Sequence, residues 1–179
     1  MDGKTIKVLE TCHDLETRGS SGLAKPGRDI AALAGIQIVC FLVLTRFEPR
    51  FFIIHLYQMV PYAAILLLVG YSLLRWAYAI GALVSILWLG LAYEAGLLGS
   101  AVERLRIPAN SDTAANLVAV LALVTGVVAV LMTVLCRVHW VKGDSQSRAN
   151  RRVFLLSLAM VCAYYLVLAH WFWDMIRDV

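Results

Sequence analysis

Apolar positions in this chain come in long blocks. They show neither the three-and-four spacing of an amphipathic surface helix nor the alternation of a half-buried strand. The first block, Ile30 to Leu44, holds 15 residues, and at ~1.5 Å per residue it reaches about 22 Å, short of a hydrocarbon core of roughly 30 Å. Asp29 as a cap and an extension to Phe47 give a helix over 29–47 of spanning length. Pro49 ends it, because the residue before a proline avoids helical angles. From Phe51 to Val102 the chain carries two charged residues, Arg75 in the middle and Glu94 near the end. That stretch is far too long for one crossing, so it predicts a hairpin of helices over 51–72 and 76–98 with a tight turn at Arg75, flanked by Tyr71 and Trp76 as interfacial aromatics. A polar loop, Glu103 to Asp112, precedes a helix over 114–136 capped by Asp112 or Thr113. The basic stretch Arg137 to Arg152 precedes a last helix over 153–173, capped by Asn150 and ending in the aromatic belt Trp171, Phe172 and Trp173.

The pattern predicts an all-α fold, a polytopic integral membrane bundle of five transmembrane helices, or four if the first block does not cross. Residues 1–28 form a polar N-terminal segment and residues 29–179 the membrane domain. Composition agrees: 61% of residues are apolar and 16% charged, where soluble domains carry about 25% charged residues. The mean hydropathy is +0.77. Acidic residues are mixed with basic ones through the N-terminal segment, which therefore does not read as a secretory signal.

Charge sets the orientation. With five spans, one side holds five Lys and Arg in the N-terminal segment, Arg75, and five in the basic loop, eleven in all. The other side holds Arg46, Arg50, Arg104, Arg106 and Arg177, which makes five. If the first block did not cross, the count would be ten against six. Lys and Arg accumulate on the cytoplasmic side, so the N-terminus is expected in the cytoplasm and the C-terminus outside, across the cell (inner) membrane. Basic residues confined to the connections serve as orientation signals, and no nucleic-acid partner is expected.

Helices in lipid associate where small residues let backbones approach. Ala77, Gly81 and Ser85, then Ala92, Gly96 and Ser100, form such faces on the third span. Ala115 and Ala119, Ala122 and Gly126, and Ala129 and Thr133 do so on the fourth, and Ala159 and Ala163 on the fifth. The third and fourth spans are expected to pair along these faces. Pro61, mid-way along the second span, removes one backbone hydrogen bond there.

Ionisable groups at membrane depth are functional candidates by default. His55, Glu94 and His170 fall at a common depth near the outer surface, accompanied by the neutral Gln37 and Gln58. Three chemistries compete. His55 and His170 could ligate a haem iron or another metal, with Asp174 orienting the second ring. Glu94 and a histidine could form a proton-accepting pair beside a quinone or substrate, with Gln58 and Tyr62 on the His55 face. Or the three lie at the interface, partly hydrated, with no site. Cys40, Cys136 and Cys162 read as packing residues, and no HExxH, P-loop, GxSxG or dinucleotide fingerprint occurs. The expected function is an accessory or scaffold subunit in contact with lipid and with other membrane subunits or itself. The alternatives are a membrane redox protein using His55 and His170 and a small transporter.

Overall fold

The computed structural model describes residues 25–106, 113–142 and 148–177. Of the described residues 95% are helical, with no strand. The elements are α1 (Lys25–Phe47), a 3-10 turn (Pro49–Phe51), α2 (Phe52–Gly70), α3 (Leu74–Glu94), α4 (Leu97–Arg106), α5 (Thr113–Lys142) and α6 (Arg148–Arg177). Five stretches are long and apolar enough to cross a membrane: Gly27–Phe47, Pro49–Gly70, Leu74–Glu94, Thr113–Lys142 and Ala149–Trp171. The first helix, expected to be marginal, has 23 residues and so measures about 34 Å. It gains that length at its start. Asp29 is consequently an exposed residue inside α1 rather than its cap.

The helices form one bundle. α1 packs on α2 and α5, α3 packs on α2, α5 and α6, and α4 lies against α5. α3 is the most enclosed span, with half of its most apolar window buried, and α6 the least, at 22%. Polar groups tie the helices together across the interior. Gln37 Nε2 donates to the Thr125 carbonyl at 3.0 Å and joins α1 to α5. Tyr57 and Tyr164 stack at 4.3 Å, and each hydroxyl donates to the other's backbone carbonyl, which joins α2 to α6. Tyr165 donates to the Val84 carbonyl at 3.2 Å and fixes α6 on α3. In lipid a backbone oxygen already engaged in its helix accepts these second bonds without competition from water.

The small-residue face of α3 does what its spacing predicts. Ala77, Gly81 and Ser85 are buried, and a Cβ built on Gly81 would sit 2.9 Å from Cys136 Sγ and 3.8 Å from Met132 Cγ of α5. The other faces behave differently. Gly126 meets Leu98 of α4, 3.1 Å from the position of a Cβ. Ala159 and Ala163 are exposed on α6.

Four other boundaries are corrected. α3 stops at Glu94, because Gly96 takes a left-handed φ of 69° that ends the helix. Ala92 is therefore buried in the seam while Gly96 and Ser100 are exposed. The polar loop expected from Glu103 begins as a helix instead: α4 is a short amphipathic element with Ala101 inward and Arg104 and Arg106 in its last turn. The hairpin turn falls at residues 71–73, with Ser72 at φ 58°, so Arg75 lies in the first turn of α3. From there its Nη1 donates to Asn150 Oδ1 at 3.0 Å. Asn150, buried in the first turn of α6, accepts from α3 and is not at the cap position. Thr113 opens α5, whereas Asp112 lies outside the described residues.

Candidate functional site

The link between α1 and α2 shapes one end of the bundle. Glu48 follows α1, Pro49 opens the 3-10 turn, and α2 begins three residues later, which places His55 in its first turn. The short turn folds Glu48 back over that helix start. Glu48 Oε2 lies 3.2 Å from His55 Nε2. The imidazole is only 11% exposed. Phe41 lies nearly parallel to it at 6.1 Å, and Phe51 approaches edge-on at 6.5 Å. The Glu48 side chain is 31% exposed, so one end of the pair reaches solvent while the other is enclosed.

Glu48 and His55 form part of the wall of a cavity of about 120 Å³ between α1, α2, α3, α4, α5 and α6. Phe41, Gln58, Trp88, Ala122 and Thr125 contribute to the same wall. Most of the lining is apolar, with the polar groups at a few fixed points, which is how small-molecule sites are built. An ionised carboxylate only accepts, so the bond to Glu48 is made by an Nε2–H of His55. Nδ1 is buried without a hydrogen-bond partner. An unsatisfied buried polar atom costs about 1–3 kcal/mol.

The candidates read from the sequence separate here. His55 and Gln58 are brought together on the cavity wall. Tyr62 is fully buried behind it, its ring 6.0 Å from Phe41. Gln37 is also fully buried, but its amide is committed to Thr125. Glu94 ends α3 on an exposed position and does not line the cavity. His170 is exposed on α6, with Trp171 edge-on at 6.2 Å, and does not line it either. Glu94 and His170 are therefore surface positions of the bundle, whereas His55 is enclosed. The acidic partner of His55 is Glu48, which the sequence offers only as a charge beside Pro49 seven residues earlier.

Among the described residues no group of three or more His, Cys, Asp or Glu side chains gathers to hold a metal. The cavity wall presents one imidazole, and its volume lies well below the roughly 300 Å³ at which sites for drug-sized ligands begin. A porphyrin ligated by His55 and His170 does not fit this arrangement. A single ring or a short alkyl segment does, since a dry cavity of about 150 Å³ accepts benzene.

Compared with protein-family models, curated proteins and solved structures, the chain has no match. Its function is argued from the site alone.

Proposed function

We propose that this protein is a non-enzymatic membrane protein that takes one amphiphile from the bilayer into the cavity beside His55. The observation that carries this reading is the enclosed His55 ring, paired with the half-buried Glu48, on the wall of an apolar cavity. The bound part is ring-sized, and the remainder of the molecule extends beyond the cavity into the lipid. Trp88 supplies a reporter on the wall. In nanodiscs, a ring-brominated nonylphenol is expected to quench tryptophan fluorescence saturably. Trp88→Phe should remove the saturable component by removing the reporter, and Ala122→Phe should remove it by filling the space. Quenching that rises linearly with probe and is the same in wild type and Ala122→Phe would mean simple partitioning into lipid, and would end this reading.

The protein would do this as an accessory subunit of a larger membrane assembly, oriented with its N-terminus in the cytoplasm of the cell (inner) membrane. Support for association comes from α6, the least enclosed span, whose exposed face carries the close-approach pair Ala159 and Ala163. Leucine at both positions is expected to abolish co-purification of partner subunits from native membranes while leaving the unfolding transition in place. Unchanged co-purification would remove α6 as the contact.

A further inference from the structure

One stripe of α2 faces the bundle. Ile54, His55, Pro61, Tyr62 and Ile65 are buried, while Leu56, Val60 and Leu67 on the other side are exposed. Gln58 lies at the centre of the buried stripe, four residues after Ile54 and seven before Ile65, positions that share one face of a helix. It nevertheless keeps part of its surface, and it lines the cavity. That surface therefore opens into the cavity and not to lipid. Among the described residues the Gln58 amide makes no hydrogen bond. The other polar side chains of the wall are engaged or one-sided. His55 Nε2 is bound to Glu48, and its Nδ1 is enclosed. The Thr125 hydroxyl donates to the Ala122 carbonyl at 2.8 Å. An ionised Glu48 only accepts, and the Trp88 indole only donates. The Gln58 amide does both, whichever way round it sits.

Building on the amphiphile reading above, on which it rests, we infer that Gln58 reads the head of the bound molecule, and that this head is a primary carboxamide on a hydrocarbon tail. Two amides laid side by side exchange two hydrogen bonds, N–H to carbonyl in each direction, so one side chain engages both functions of the head. In an apolar cavity these bonds do not compete with water, and an amide left unpaired there is costly. The volume of about 120 Å³ holds the head and its first few methylenes, which together match one ring in size. The tail continues into the lipid. Charge points the same way. Glu48 stands on the same wall with its side chain 31% exposed, so an anionic head would meet a carboxylate, whereas a carboxamide is uncharged. A nitrile or an ester accepts but does not donate, and satisfies half of the Gln58 amide. A hydroxyl carries donor and acceptor on one atom and does not span it.

Three competitors share one tail length: octadecanamide, octadecanenitrile and octadecylamine. Each is titrated in phosphatidylcholine nanodiscs against the saturable Trp88 quenching by the ring-brominated nonylphenol. Affinities are expressed per mole fraction in the bilayer, which removes differences in partitioning. The amide is expected to bind about tenfold more tightly than the nitrile, the gain of one hydrogen bond in an apolar site, and more tightly than the amine. The nitrile is the slimmer head, so its weaker binding does not come from crowding. In Gln58→Leu and Gln58→Met, which keep a side chain of similar size without the amide, the phenol should still quench saturably while amide and nitrile compete alike. Equal competition by amide and nitrile in the wild type, a comparison that needs no substitution, would overturn the inference and leave the amphiphile reading standing. An amide preference that persists in both variants would overturn it too, because the head would be read elsewhere. Tightest binding by the amine would assign the head to Glu48 and overturn it as well. Absence of saturable quenching by the phenol in the wild type would overturn both.

Discussion

Gly81→Leu is expected to lower the stability of this bundle by about 3 kcal/mol, the upper part of the range for overpacking a close-packed core. The seam between α3 and α5 leaves no room for a side chain there. The Cβ position is 2.9 Å from Cys136 Sγ, with Ile65 Cδ1 and Met132 Cγ each at 3.8 Å. Cys136 and Met132 are fully buried, so neither can swing outward. Leucine must push the helices apart, and with them the contacts that make α3 the most enclosed span. Alanine is a poorer probe, because the helix propensity it gains over glycine, about 0.5–1 kcal/mol, offsets the crowding. Cys136→Ala removes the sulfur atom nearest the new side chain. The double variant should therefore be more stable than the sum of the single changes predicts, with a coupling of about 1 kcal/mol. Reversible unfolding in mixed micelles measures all four corners of this cycle. Strict additivity would show that Gly81 does not meet Cys136 in the membrane.

The same seam shows what was legible in the sequence. Block length alone gives five crossings, because lipid forces every backbone polar group into a helix and a helix must be long enough to span. The four-residue spacing of Ala77, Gly81 and Ser85 gives a close-approach face, and the structure fills it with α5. The end of α3 was hidden for a physical reason. Hydropathy continues through Gly96 into Leu97 and Leu98, and a left-handed glycine changes direction without changing polarity. The spacing of Leu97, Leu98, Ala101 and Leu105 was the available sign of an amphipathic helix, masked by its fusion to the apolar block. The site divides in the same way. Counting residues from a span's end fixes depth, which groups His55 with Glu94 and His170. Depth says nothing about which side of a helix a residue occupies, and packing puts Glu94 and His170 on the outside. Glu48 reaches His55 only because a 3-10 turn reverses the chain between them, and nothing in the apolar blocks encodes that turn.

Cys12 is expected to be silent to a membrane-impermeant thiol reagent in intact cells and fully reactive once the cells are opened. It lies outside the described residues, so this prediction rests on the charge count that places the N-terminal segment inside. The structure makes the assay clean without further mutagenesis. Cys40 and Cys136 are buried, and Cys162 is partly covered on α6. All three fall within the apolar spans, where a charged reagent does not enter. Cys12 is then the one thiol the reagent reads, and the signal is all or none. Arg148, Arg151 and Arg152 stand at the start of α6, where each basic residue near an anionic surface contributes about 1 kcal/mol to keeping that end inside. Replacing all three with glutamine leaves eight basic residues inside against five outside. A fraction of the molecules should then insert inverted, with Cys12 labelled in intact cells. Labelling of the unmodified protein in intact cells would reverse the orientation and move the Glu48–His55 pair to the cytoplasmic surface. A triple variant that remains wholly unlabelled would assign the orientation to the N-terminal charges instead, and Lys4, Lys7, Arg18, Lys25 and Arg28 would be the next to neutralise.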